Sequence, residues 1–310
     1  MSRVIRGGPI VSDQPHPRDN REQLVRVAVA GVVAPARADA NYRLHDESGT
    51  FRPLPGNGGI AIGIHTGDVI GTFVADHLMA GASIVDAEAE PSAPGALHLL
   101  ACIGNQVRTA DGQRLGIVAA KRGGLAPGFI APQLVGVEAS DDRLARLAPG
   151  DRVVLEASGR GLALLDHPDI SLANLAPRSL DALRLEEHDG GLTIAVRAII
   201  PSRMAAAGIG SDPWIGDLEV DDGGTSLLPV DLRFGDLVAF IDIDATTTRF
   251  HRVGYVAIGL VAHGPSPASG HGVGITILVS GPASQLHAVV RDDATLALWL
   301  INEGARHGAP

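Results

Sequence analysis

The stretch Phe234–Asp244 reads FGDLVAFIDID. A Gly-Asp pair closes a turn, and a run of apolar, β-prone residues follows it. Glycine supplies the positive φ of a tight turn, and aspartate bonds backbone amides within it. The same grammar recurs at Pro149-Gly150-Asp151 before RVVLEA, and at Gly67-Asp68 before VIGTFVAD. Repeated turn-plus-strand units predict a mainly β fold of compact β-barrel or sandwich-like modules with a few short helices. Their irregular spacing argues against a solenoid or propeller.

Working outward, Leu24–Val33, Leu115–Ala120, Leu237–Ile243, Gly254–Ala262, Gly274–Val279 and Leu286–Val290 read as strands by alternation and β-branching. Asn57–Gly81 reads as two short strands with tight connections. Ala96–Asn105 and Leu296–Asn302 read equally as strand or helix. Short helices are expected at Ser140–Leu147, Pro177–His188 and Ser202–Ala207, the second with proline at its first turn. Residues 1–20 read as an arm, and Pro35–Pro55 and Glu88–Gly95 as loops. The acidic, turn-rich stretch 211–228 reads as a linker or lid. The whole of 1–310 is then one β-rich unit, with sub-modules 22–210 and 229–292 joined by that loop.

Composition narrows the function. Apolar residues are 45% of the 310 and aromatics 3%, so aliphatic side chains must fill the core. A net charge of −10 argues against nucleic acid and anionic membrane surfaces as partners. Cys102 is the single cysteine, which excludes an intrachain disulfide and a thiolate cluster. It sits in the apolar run LLACIG and reads as a small buried hydrophobe. The N-terminus has no apolar signal region, and no window reaches the roughly 20 apolar residues of a spanning helix, so a soluble cytoplasmic protein is expected. Strand edges that need covering, with a positive mean hydropathy, lead to the expectation of a homo-oligomer.

Three groups of residues could carry chemistry. Asp76 and His77, with His65 and Asp68 upstream, close the Asn57–Gly81 stretch. Adjacent strand residues point to opposite faces, so Asp76 and His77 share a pocket only if the chain leaves the strand there. His263 and His271 flank a Gly/Ser/Pro loop in HGPSPASGHGVGIT. Asp242 and Asp244 alternate on a strand, placing both on one face for a cation or a general base. Each group also has a plainer reading: turn residues, core histidines or a solvated strand face. Lys121-Arg122-Gly123-Gly124 reads either as an anion cradle or as a basic surface turn. No GxGxxG, Walker A, GxSxG, CxxC or HExxH pattern occurs, which weighs against NAD, ATP and serine-hydrolase chemistry.

GNGGI at 56–60, ADH at 75–77, ALHLLACIGN at 96–105, GRGLALLDHPDI at 159–170, MAAAGIG at 204–210, LRFGDLVAF at 232–240 and GHGVGIT at 270–276 stand in an order that resembles the family of domain of unknown function 4438. The resemblance runs from about Leu24 to Val290. It implies a compact β-rich single unit and names no activity. It also marks Asp76, His77, Asp217, Asp236, His263 and His271 as positions where the matching motifs hold acid–base or ligand groups. The chain departs from the family at Gly264-Pro265-Ser266-Pro267, where a longer polar segment with serine and cysteine is expected. It departs again at Gly216-Asp217-Leu218-Glu219, where Gly-Asp-Tyr-Asp is usual.

The expectation drawn from these residues is a small-molecule hydrolase, metal-assisted, acting on an amide, lactam or imide C–N bond of a small polar molecule. His77, His263 and His271 are the expected ligands of zinc or manganese. Asp76, His77 and Asp242 are the expected catalytic groups. Asn57, Gly58, Lys121, Arg122 and Asp217 are the expected substrate contacts. A non-catalytic β-rich binding or assembly protein, and a metal-free isomerase or lyase, are the alternatives.

Overall fold

In the computed structural model the three Gly-Asp turns share one geometry. Gly67, Gly150 and Gly235 have φ of 96°, 92° and 90°. In each turn the aspartate Oδ2 accepts the backbone N–H three residues earlier, from His65 at 2.8 Å, Ala148 at 2.7 Å and Arg233 at 2.9 Å. Strands follow two of them, Arg152–Ala157 and Leu237–Asp244. After Gly67-Asp68 the chain makes a 3-10 turn, Ile70–Thr72. Val69 meets Arg233 through a single bridge and Ile70 donates to the Leu232 carbonyl, so no ladder forms there. The expected pair of strands in Asn57–Gly81 is thereby corrected to one, Ile60–Ala61.

The structure describes residues 17–37, 54–87, 95–126, 129–130, 133–188, 191–221, 228–266 and 271–306. Most of the expected N-terminal arm, most of the Pro35–Pro55 and Glu88–Gly95 loops, and residues 222–227 lie outside these. Strands take 43% and helices 13%, which makes the fold mainly β.

Six antiparallel strands close into a barrel. Val27–Val33 pairs with Arg152–Ala157 on one side and Gly81–Asp86 on the other. Between those two the circuit runs through Gln106–Thr109, Arg114–Arg122 and Leu134–Glu138. Alternate residues point inward, so Val33, Ile84, Val107, Val118, Val135 and Leu155 fill the interior. The second sheet is built on Leu237–Asp244, Phe250–His263 and Val273–Pro282. Ser171–Leu172 and Leu218–Val220 pair with its last strand, and Ala198–Pro201 runs parallel to its first. A small third sheet joins Glu186–His188, Gly191–Val196 and Leu286–Val290.

Where the sequence reads two ways, packing decides. Ala96–Leu100 is a helix and buries Leu97 and His98. Ala297–Ala305 is a helix that buries Leu300. The other expected helices shorten to Asp141–Leu144, Pro177–Ala182 and the 3-10 turn Ser202–Met204. The acidic stretch 211–228 is more than a loop: it contributes the buried strand Leu218–Val220. The supposed basic turn is also corrected. Lys121 and Arg122 end the barrel strand Arg114–Arg122 and are buried. There Lys121 N–H donates to Thr276 Oγ1 at 3.1 Å, and that hydroxyl donates to the Lys121 carbonyl at 2.9 Å. Barrel and second sheet are thus joined by a reciprocal pair of hydrogen bonds.

Candidate metal centre

His77 has φ of 53°, in the left-handed region. The chain therefore leaves the extended path at this residue, and Asp76 and His77 turn to the same side. His77 Nδ1 lies 2.7 Å from Asp76 Oδ1. Backbone bonds then tie this corner to the first histidine of the downstream loop: His77 N–H to the Pro265 carbonyl and Gly264 N–H to the Leu78 carbonyl. His263, at the end of Phe250–His263, is carried against His77 with ring centroids 5.0 Å apart. His271 approaches the same ring at 5.5 Å. The three histidines expected to meet do meet.

Two carboxylates come from the strand that the acidic stretch concealed. In Asp217-Leu218-Glu219-Val220 the apolar residues face the second core cluster, and both carboxylates point the other way. Asp217 Oδ2 lies 2.8 Å from His263 Nε2, and its Oδ1 accepts Gly123 N–H at 2.9 Å. Glu219 Oε2 lies 2.8 Å from His271 Nδ1, and its Oε1 lies 3.4 Å from His77 Nε2. Gly216 (φ 65°) permits this approach, since a Cβ there would sit 1.5 Å from the Gly123 carbonyl oxygen. Gly274 leaves room for the His263–Asp217 pair, because a Cβ there would sit 1.9 Å from His263 Nε2.

The cluster is almost sealed. His77 is 1% exposed and His263 0%, while the His271 side chain keeps 21%. Burial alone would lower the His77 pKa; its bonds to Asp76 and Glu219 more than offset this and hold it above the ordinary value. Burial would raise Asp76, yet its bonds from His77 and Ser266 bring it below the usual carboxylate range. Glu219 is likewise buried, and its bonds to His271 and His77 hold it well below that range.

One feature of the rings is decisive for their chemistry. His263 Nδ1 faces the Gly264 carbonyl at 2.7 Å, which can only accept, so Nδ1 carries the proton. Its Nε2 then faces a second acceptor, the Asp217 carboxylate. His77 is placed in the same way between Asp76 and Glu219. A neutral imidazole has one N–H to give. Each second contact therefore needs an additional proton, or a cation to one side that takes both nitrogen and oxygen as ligands. Imidazoles oriented through one nitrogen by a carboxylate or carbonyl, with the other facing a site, are the usual setting of metal ligands. Among the described residues, two groups place three ligand atoms within 4.8 Å of one another: His77, Glu219 and His271, and Asp217, Glu219 and His263.

The remaining expected site residues sort by distance. Arg122 Nη1 donates to Asn57 Oδ1 at 2.6 Å, and its charge reaches Asp76 and His77. Gly58 packs on the Pro35 carbonyl, where a Cβ would sit 2.8 Å from the oxygen. Lys121 turns to neutral acceptors instead, donating to Asn174 Oδ1 at 2.6 Å and the Trp214 carbonyl at 2.8 Å. Asp236 serves its turn. His65 pairs with Glu138 and Asp141. Asp242 is corrected outright. It has φ of 62° at a bulge and accepts Gly254 N–H, nine residues before His263, roughly 30 Å along a strand. The bulge also breaks the shared face with Asp244, which binds Thr246 and Arg252. Cys102 is buried, and that burial pushes its thiol up to about 12, far from nucleophilic.

Family models described as domain of unknown function (DUF4438), N-terminal and C-terminal, match residues 42–181 and 182–300. The chain belongs to the DUF4438 family. The two matched regions meet within the last turn of the helix Pro177–Ala182, yet Ser171–Leu172, from the first region, pairs with Val273–Pro282 of the second. Among solved structures, the crystal structure of TM1086 is similar: 33% identical, with a TM-score of 0.83, covering 92% of this DUF4438 chain and 100% of that one. No curated protein matches.

Proposed function

We propose that this DUF4438 protein binds a divalent cation, zinc or manganese, at the histidine–carboxylate cluster, and that it is a hydrolase of a small polar molecule, cleaving an amide, lactam or imide C–N bond. The observation that supports this reading is the pair of imidazoles each held between two acceptors. A bound ion would lower the pKa of its water and polarise the scissile carbonyl. Asp76, outside both three-atom ligand groups yet bonded to His77, is the carboxylate left to orient the ring and accept a proton. Arg122, whose charge reaches Asp76 and His77, would attract an anionic substrate group. Access runs past the partly exposed His271.

A non-catalytic ion site that stabilises the fold is the second reading, supported by the near-complete burial of His77 and His263. Elemental analysis of purified protein, followed by assay of zinc- and manganese-loaded samples on small amides, lactams and imides, separates the two. Bound metal with turnover is expected. Metal without turnover on any substrate favours the second reading, and protein that neither carries nor takes up metal removes both.

We also propose self-association, supported by the exposed apolar side chains Ile62, Val74 and Val230. Light scattering is expected to give a mass above one chain, and a monomer at micromolar concentration would refute it. No described helix is long and apolar enough to cross a membrane.

A further inference from the structure

The ligand atoms of the cluster divide. His77 Nε2 and His271 Nδ1 both face Glu219, at 3.4 and 2.8 Å. His263 Nε2 faces Asp217 at 2.8 Å on the other side. Ligand atoms about one zinc, each near 2.1 Å from it, lie at most about 4.2 Å apart. Among the described residues, the groups whose ligand atoms lie within 4.8 Å of one another keep His263 apart from His77 and His271, and Glu219 belongs to both. One ion therefore does not reach all three imidazoles as they stand.

We propose that the cluster is a two-cation centre, with His77 and His271 on one ion, His263 and Asp217 on the other, and the Glu219 carboxylate shared between them. This rests on the metal reading above. A carboxylate has two oxygens and about four lone-pair directions, so one side chain can serve two ions. Two ions 3.5–4 Å apart are the common arrangement in hydrolytic centres. The local sequence fits the assignment. Asp217 immediately precedes the strand Leu218–Val220 and alternates with Glu219, so the two sites are held at the spacing of alternate residues. Gly274 opposes Glu219 in the sheet register and leaves the space that the His263–Asp217 side occupies. Gly272 N–H also donates to Glu219 Oε2, at 3.2 Å, which helps to fix the shared carboxylate.

The test is metal stoichiometry on the full chain, stripped with chelator and titrated with Mn2+ alone. All samples carry His287→Ala, because the His188–His287 pair, with ring centroids 5.1 Å apart, offers a separate surface site. Two equivalents per chain are expected, with exchange-coupled Mn2+ in the low-temperature electron paramagnetic resonance spectrum. Asp217→Asn and His271→Ala should each fall to one equivalent and lose the coupling. One equivalent in the parent protein, or two without coupling, overturns the two-cation assignment and leaves the single-ion reading standing. No binding overturns both. The spectrum of the parent protein decides the matter even if a variant fails to fold.

Discussion

His77 and Asp76 are neighbours in the chain, yet their side chains meet, with Nδ1 and Oδ1 2.7 Å apart. The left-handed backbone at His77 makes this possible. In the metal reading Asp76 orients the ring without touching the ion. Asp76→Asn should therefore weaken Zn2+ affinity about 10–100-fold, the range for outer-shell partners, while the fold persists. Competition with a chromogenic chelator measures this, and an unchanged affinity would remove Asp76 from the site.

Metal binding should weaken as the solution is acidified, because an ion must displace the proton that His77 shares with its carboxylates. Since those carboxylates hold the His77 pKa above its ordinary value, the loss should begin above about pH 6.5, the reference for histidine. Isothermal titration between pH 5.5 and 8 checks this. Affinity independent of pH would contradict ligation by His77.

Lys121 gives a second pH signature. It is fully buried among neutral acceptors, and that burial, with Arg160 and Arg249 nearby, lowers its pKa to about 7; Cys102 and Asp212 act the other way. Unfolded lysine titrates near 10.4. Below about pH 7 both states are protonated and the fold bears the full cost of the buried charge. Between there and about pH 10 the unfolded chain binds more protons, so stability should rise with pH. Lys121→Met should abolish this rise. Chemical denaturation of both proteins across that range compares them, and parallel curves would refute the assignment.

Cys102 should be silent. With its thiol pushed up to about 12 by burial, Ellman's reagent at pH 8 should find no reactive thiol in the folded protein and one per chain after denaturation.

Leu218 is fully buried on the face of its strand opposite the carboxylates. Leu218→Ala should cost about 2–5 kcal/mol, as buried leucine truncations do. It should also loosen metal binding by releasing Asp217 and Glu219 together. Urea denaturation and chelator competition read the two effects.

Much of this was legible in the residues. All three Gly-Asp turns form as read, because glycine's positive φ and an aspartate accepting from three residues back are local chemistry. The failure of a strand to form after Gly67-Asp68 was not legible, because a strand needs a neighbour and alternation does not reveal whether one is there. Glu219 escaped for the opposite reason. Its strand lies in an acidic stretch that reads as solvated, although the order Asp217, Leu218, Glu219, Val220 already sorts polar and apolar residues onto two faces. Asp242 misled because regular alternation assumes an unbroken ladder, and a bulge at Ile241/Ile243 reverses it.

The join between Gly123 and Asp217 has a consequence for biosynthesis. His77 and Arg122 come from the first half of the chain, and Asp217, Glu219, His263 and His271 from the second. At cellular elongation rates Glu219 leaves the ribosome on the order of 10 s after His77. During that interval the nascent barrel carries an imidazole and a carboxylate but no cluster to hold an ion. In the metal reading, capture would thus be deferred to the end of synthesis, and a prematurely terminated polypeptide would emerge without the means to sequester the cation.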